Sequence, residues 1–144
     1  MTDRPSRPRS PAGEKLSLTL IDGRLELPTC QRCSAVQYPP SEICRQCLSD
    51  ALELTAFDPA GCVVACVLVR NSLAQDFDGN SPWPIVSVKI SAGPIVFAHT
   101  LKFLEHDTAV TLVPLVDAVG DGVFGALTDP DDSDLLQARF DKKI

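Results

Sequence analysis

Two C-x-x-C pairs constrain this chain most, because four cysteines at this spacing can close around one metal ion. The pairs are Cys30/Cys33 and Cys44/Cys47, with ten residues between them. Two residues between cysteines let both thiolates of a tight turn face one ion, and two such turns supply the tetrahedral sulfur shell that zinc favours. The sequence therefore predicts a structural zinc site on a short hairpin, with rubredoxin-like iron and an unmetallated site as alternatives.

A shell of four thiolates leaves no position on the metal for water or substrate, so the zinc is not expected to be catalytic. Ser34 and Leu48 follow the second cysteine of each pair. A positive φ is expected there, and glycine would adopt it at the least energetic cost.

Charge is distributed unevenly along the 144 residues, whose formal net charge is −6. Residues 51–128 contain three basic and eight acidic side chains. Because nucleic-acid affinity comes largely from Lys and Arg contacts to phosphates, this composition disfavours nucleic acid as a partner. No apolar run approaches the roughly 20 residues of a membrane span, and no apolar segment follows the N-terminal arginines as in a secretory signal. A cytoplasmic protein without a membrane partner is expected.

After residue 51, short β-rich runs alternate with Gly, Pro and Asp, which predicts a mainly β fold containing a small antiparallel barrel of the OB type. The predicted strands cover residues 61–70, 85–90, 95–104, 108–117 and 123–128, and a polar loop covers 71–84. The first run lacks polar alternation, so both of its faces are expected to be covered. The predicted organisation is a flexible arm (1–15), a lead segment and ribbon (16–50), the barrel (51–128) and a tail (129–144). A hairpin signal covers 16–28, and a short helix is expected from Asp132 or Ser133.

The remaining cysteines and the two histidines have no evident catalytic partners. Cys62 and Cys66, four residues apart in one predicted strand, are interpreted as small core residues on one face. His99 and His106 are interpreted as a packed and a turn histidine. His99 is expected to share a strand face with Phe97, Leu101 and Phe103, and it could reach a site if that face meets a partner. No catalytic residue is predicted in this chain.

Two aromatic positions are candidates for contact with a partner. Trp83 between two prolines is either a core anchor or an exposed interface residue. Tyr38, followed by Pro39 and Pro40, is too stiff and amphipathic to be explained easily as the core of a small hairpin.

The order of these motifs resembles the zinc-ribbon plus OB-fold family catalogued as domain of unknown function 35. Gly23-Arg24-Leu25, the first C-x-x-C, Tyr38-Pro39-Pro40 and the second C-x-x-C follow one another as in that family, and the resemblance covers residues 20–128. It implies a rubredoxin-like zinc ribbon followed by an OB barrel, with Cys30, Cys33, Cys44 and Cys47 as ligands. It also implies that residues 16–28 can be helical.

Members of that family look like accessory subunits of thiolase-superfamily enzymes that act on acyl-CoA. The resemblance therefore implies a non-catalytic subunit of a 3-oxoacyl-CoA thiolase or retro-aldolase complex, with a bulky aromatic or steroid-like acyl-CoA as the ligand of the complex. In that hypothesis the partner- or acyl-CoA-facing residues are Tyr38, Pro39, Pro40, Trp83 and His99. Two alternatives stay open, a nucleic-acid-binding ribbon/OB module and a free-standing acyl-CoA-binding protein.

Overall fold

The computed structural model describes residues 9–70 and 82–141. Its two α-helices are α1 (Pro11–Ile21) and α2 (Ser133–Asp141), and a short 3-10 helix at Pro130–Asp132 leads into α2. Its seven strands are β1 (Glu26–Cys30), β2 (Leu52–Ala56), β3 (Ala60–Val69), β4 (Trp83–Ile90), β5 (Ile95–His99), β6 (Ala109–Val116) and β7 (Gly122–Leu127). No helix in this part of the chain is long and apolar enough to cross a membrane.

Helix α1 begins earlier than the sequence suggests. The side chain of Ser10 caps it by accepting a hydrogen bond from the amide of Gly13, and Pro11 occupies the first turn, where its missing N–H costs nothing. The helix therefore takes in residues 11–15, for which the composition predicts a flexible arm. It also replaces the hairpin indicated for residues 16–28, because its buried residues Leu16 and Leu20 pack against the barrel rather than against a second strand.

The ribbon is built on a two-stranded antiparallel sheet. Strand β1 pairs with β2 from Glu26 opposite Ala56 to Cys30 opposite Leu52. The chain between Cys30 and Leu52 contains both C-x-x-C turns, so this sheet brings the two ends of the metal-binding segment together.

The remaining five strands form a closed barrel in the order β3-β4-β5-β7-β6, which confirms the predicted OB-like fold. Neighbours are antiparallel except β5 and β7, which run parallel and meet at a single bridge between His99 and Gly125. Strand β5 ends at His99, so Leu101 and Phe103 do not share its face as expected. Of the predicted polar loop at 71–84, residues 71–81 lie outside the described part of the chain.

A β-bulge in β3 changes the faces of its two cysteines. The register against β4 shifts between Val63 and Ala65, which inserts one residue between them. Cys62 consequently pairs with the exposed Lys89, whereas Cys66 pairs with the buried Val86 and packs against the core. The expectation that both cysteines are core residues on one face is wrong for Cys62, which is exposed.

Two hydrophobic clusters hold the fold together. One fills the barrel and includes Val86, Val88 and Phe124. The other lies outside the barrel, where Leu136 and Phe140 of α2 pack against Trp83 and the outer face of β6 and β7. The C-terminal helix is thus present as expected, and it covers one outer face of the barrel.

Helix α1 approaches β7 so closely that glycine is required at position 122. The amide of Gly122 donates to Ser17 Oγ at 2.9 Å, and a Cβ on residue 122 would overlap the carbonyl oxygen of Ser17. The helix therefore lies on the edge of β7 through a contact that tolerates no side chain.

Gly122→Ala is expected to destabilise the protein by about 2–3 kcal/mol, because the helix must move away from the strand. Urea unfolding followed by circular dichroism measures the change. Gly13→Ala, at an α1 position where a Cβ meets only ordinary contacts, is the control and should be neutral or slightly stabilising. Equal midpoints for both variants would contradict the close contact.

Candidate functional site

The four ribbon cysteines form one compact cluster. Cys30 Sγ lies 3.6 Å from Cys47 Sγ, and Cys33 Sγ lies 3.6 Å from Cys44 Sγ. All four sulfur atoms lie within 4.8 Å of one another. A tetrahedron with Zn–S bonds of about 2.3 Å has edges of about 3.8 Å, so the sulfur positions fit a zinc ion.

Backbone amides favour the thiolate forms that a metal requires. The amides of Arg32 and Cys33 point at Cys30 Sγ, at 3.4 and 3.5 Å, and the amide of Gln46 points at Cys44 Sγ at 3.4 Å. The N–H of Cys33 is the main reason that the pKa of the Cys30 thiol falls to about 6. The N–H of Cys47 similarly lowers the pKa of the Cys44 thiol. At Cys33 the N–H of Ala35 lowers the pKa, but burial and the neighbouring cysteine side chains outweigh it and raise the pKa to about 12. The amides therefore favour the thiolates of Cys30 and Cys44 in particular.

The turn geometry agrees with the spacing argument. Ser34 and Leu48 adopt positive φ values of 66° and 65°, as expected for the residue after each C-x-x-C pair. Each C-x-x-C turn closes with a backbone hydrogen bond, from the amide of Ser34 to the carbonyl of Cys30 and from the amide of Leu48 to the carbonyl of Cys44.

The ribbon tip, residues 37–40, is hydrogen-bonded to the segment that carries the second cysteine pair. The Gln37 side chain accepts a hydrogen bond from the amide of Arg45 and donates to the carbonyl of Ile43. The guanidinium of Arg45 donates to the carbonyl of Pro39 at 2.9 Å. Since Arg45 follows Cys44, the position of the tip depends on the metal site.

Beside this tip lies an apolar groove of about 360 Å³ between the ribbon, α1 and the edges of β5 and β7. It brings together four of the five predicted contact residues, namely Tyr38, Pro39, Pro40 and His99. Its other walls include Ile85, Phe97 and Val123.

Tyr38 forms the wall between the groove and the barrel. Its ring packs edge-on against Phe97 and Phe124, with centroids 6.4 and 6.0 Å away. Burial raises the pKa of the Tyr38 hydroxyl, and the N–H of Phe97 and the charge of Arg9 only partly oppose the rise. The hydroxyl is therefore neutral at physiological pH and available for hydrogen bonding.

Trp83 is buried, with no exposed surface, so it does not face a partner or ligand. It packs against Phe140 at the end of α2, and its Nε1–H donates to Nδ1 of His99 at 2.8 Å. Because an indole nitrogen can only donate, Nδ1 of His99 must accept, and the ring proton lies on Nε2. Trp83 is thus a core anchor that orients the one histidine of the groove.

No sequence pattern indicates the wall supplied by α1. Arg9 lies at the rim and forms a 2.8 Å ion pair with Asp121, 112 positions further along the chain. Gly13, Leu16 and Leu20 line the same wall. Contacts at this separation depend on the docking of the helix, which no local pattern encodes.

The second histidine, His106, lies away from the groove. It occupies a turn in which its Nδ1 atom is 3.0 Å from the carbonyl oxygen of Val64. The interpretation of His106 as a turn histidine therefore agrees with its position.

Comparison with known proteins identifies the ribbon. Residues 22–53 match the family model described as "ChsH2, rubredoxin-like zinc ribbon domain". This segment is similar to a ChsH2-type zinc ribbon. The match contains all four ligand cysteines of the ChsH2-type ribbon and the whole tip, so it agrees with the resemblance noted in the sequence.

The fold of the described chain is also similar to a solved structure. A chain of the structure named "Ltp2-ChsH2(DUF35) aldolase" aligns with a TM-score of 0.65 at 20% identity, covering 85% of this chain and 98% of that one. The similarity extends beyond residues 22–53 and shows that the two chains share one overall fold. No curated protein matches the sequence.

Cys44→Ser is expected to abolish stoichiometric zinc binding, because three thiolates no longer complete the sulfur shell. Metal analysis of the purified protein should find about one zinc per chain in the wild type and almost none in the variant. Cys62→Ser, which alters an exposed cysteine outside the ribbon, is the matched control and should retain zinc. Equimolar zinc in Cys44→Ser would refute the four-thiolate site.

Proposed function

We propose that this chain is a non-catalytic, zinc-binding accessory subunit of a thiolase-type complex, either a 3-oxoacyl-CoA thiolase or a related aldolase. It stabilises the catalytic partner and helps to shape the acyl-CoA site during degradation of a bulky, aromatic or steroid-like acyl-CoA. The observation that carries the proposal is the apolar groove, which the metal-anchored ribbon tip completes beside the barrel.

The structural comparison supports a heteromeric assembly. The matched chain aligns over nearly its full length, and it comes from a structure whose name joins Ltp2 with ChsH2(DUF35) as an aldolase. We infer that the present chain likewise works beside a separate catalytic subunit.

The groove has the chemistry expected of an acyl pocket. Its volume falls within the range of small-molecule sites, roughly 300–1,000 Å³. The walls are mainly aliphatic, aromatic and proline side chains, and the polar residues among them are Arg9, Ser17, Tyr38 and His99. Such a lining suits a broad apolar acyl group with few hydrogen-bonding atoms.

The phosphates of CoA require a different surface. Arg9 is the cation that lines the groove, and Asp121 already neutralises it. Because three phosphate groups call for several Lys or Arg contacts, the partner is expected to hold the nucleotide end of the ligand.

The nucleophile is also expected to come from the partner. Four of the six cysteines form the metal cluster, and Cys62 and Cys66 lie on β3, away from the groove lining. The Nδ1 atom of His99 already accepts a hydrogen bond from Trp83 and so cannot serve as a base. The chain therefore contributes shape and polarity to the site, not a covalent step.

Coexpression with a thiolase-fold protein encoded nearby should give a stable heteromer that contains zinc. Size-exclusion chromatography with light scattering measures the mass, and turnover of a bulky acyl-CoA measures activity. The partner alone is expected to be insoluble or at least about tenfold less active. A chain that stays monomeric beside every such partner would overturn the proposal.

Narrowing the groove should affect large acyl groups selectively. Ile85→Trp is expected to lower kcat/KM of the complex for a bulky acyl-CoA by about tenfold or more, while acetoacetyl-CoA turnover changes less than about twofold. Leu135→Trp, on the exposed side of α2, is the control and should change neither. Equal losses for both substrates would show that the groove does not receive the acyl group.

A further inference from the structure

Three barrel strands present an uncovered outer face. The register places residues of β3, β4 and β5 in rows across the sheet, such as Cys62–Lys89–Ile95 and Ala65–Ser87–Phe97. We define the open face by six outward residues: Cys62, Ala65, Val67, Lys89, Ile95 and Phe97.

The open face is unusually apolar for a solvated sheet. Antiparallel sheets with one face in water normally alternate polar and apolar residues along each strand. Here Cys62, Ala65 and Val67 of β3 and Ile95 and Phe97 of β5 are apolar, whereas β4 places Ser87 and Lys89 between them. The exposed fractions are 59% for Phe97, 57% for Val67 and 43% for Ile95. Several large apolar side chains this exposed on one sheet face, with few polar groups among them, are typical of an interaction site.

On another side of the barrel, an apolar outer face is covered by a helix of this chain. Helix α2 covers the outer face of β6 and β7, burying Val113 and Leu115 under Leu136 and Phe140. No described helix covers the open face, although it is made of the same kinds of side chain. Within residues 9–70 and 82–141, neither α-helix gives the open face a comparable cover.

Lys89 indicates that the open face is covered by a different protein and not by a second copy of this chain. It lies within the open face and forms no ion pair with any described residue. Two copies meeting through this face would each bring Lys89, and none of its six residues is acidic. Burying two unpaired like charges is unfavourable, so the complementary surface must be apolar and must supply a carboxylate.

The open face is continuous with the groove. Phe97 belongs to the open face and also lines the groove, where its ring packs against Tyr38. A subunit that covers Phe97 therefore also closes the mouth of the groove, turning an open cleft into a cavity shared between two chains.

We infer that the open face is the docking surface for the catalytic partner, whose contacting surface is apolar with one Asp or Glu opposite Lys89. This inference rests on the proposed function, since it specifies which side of the chain the partner occupies.

The test uses the coexpressed heteromer and three variants. Val67→Asp buries an unpaired charge in the interface and should weaken association by at least about 100-fold; Lys89→Glu should weaken it by about tenfold or more. Leu135→Asp is the control, because Leu135 is 61% exposed on α2, outside the open face, and it should change association less than about threefold. Mass photometry over a dilution series measures dissociation, and thermal unfolding verifies that each isolated variant is folded.

The outcomes separate the two proposals. If the wild type binds the partner and folded Val67→Asp binds it equally well, the docking face is wrong while the accessory role stands. If the wild type binds no thiolase-fold partner, both fail. If the isolated wild type is a dimer that Val67→Asp dissociates, the face joins two copies and the inference is overturned.

Cys62 provides a second readout that needs no mutation on the face. In a Cys66→Ala background, zinc holds the four ribbon thiols and leaves Cys62 as the reactive one. Its maleimide labelling is expected to be fast in the isolated chain and at least about tenfold slower in the heteromer. Slow labelling in the monomer would mean that the chain covers its own face, and unchanged labelling in the heteromer would place the partner elsewhere; either result overturns the inference.

Discussion

The convergence of four thiolates on one point is the constraint on which the rest of the structure depends. The segment between β1 and β2 has few buried apolar side chains of its own, so the sulfur cluster must hold it together. Through Gln37 and Arg45 the cluster also fixes the tip that carries Tyr38 and Pro39. The metal site thus determines the position of the groove wall formed by Tyr38 and Pro39, although neither residue is a ligand.

The barrel and helix α1 supply the remaining walls of the groove beside the ribbon tip. Tyr38 packs against Phe97 and Phe124, which lie on strands joined at only one bridge, and α1 covers the edge of β7 through Ser17 and Gly122. Three elements distant in sequence therefore meet at one groove. The groove is mainly apolar, with the Arg9–Asp121 ion pair at its rim. The neutral Tyr38 hydroxyl and His99, whose tautomer is fixed by Trp83, add polar atoms.

The local signals in the sequence predicted the metal ligands and the barrel, because cysteine spacing and strand periodicity are short-range properties. They failed where a single inserted residue changes the direction of a side chain, or where a contact distant in sequence fixes the position of an element. The bulge between Val63 and Ala65 turns Cys62 outward, which strict alternation cannot anticipate. The apolar run of β3 suggested two covered faces, yet Val67 is exposed. Helix α1 could be inferred from resemblance, but its place beside Gly122 depends on the assembled barrel.

The single bridge between β5 and β7 gives the barrel a seam. Strands β3, β4 and β5 are joined by extended ladders, as are β6 and β7, whereas one residue pair connects the two sets at this edge. Small displacements across the seam alter the width of the cleft beside it without breaking either ladder. Substitutions of the few side chains beside the seam can therefore change the width of the groove while both ladders and the cysteine cluster stay intact.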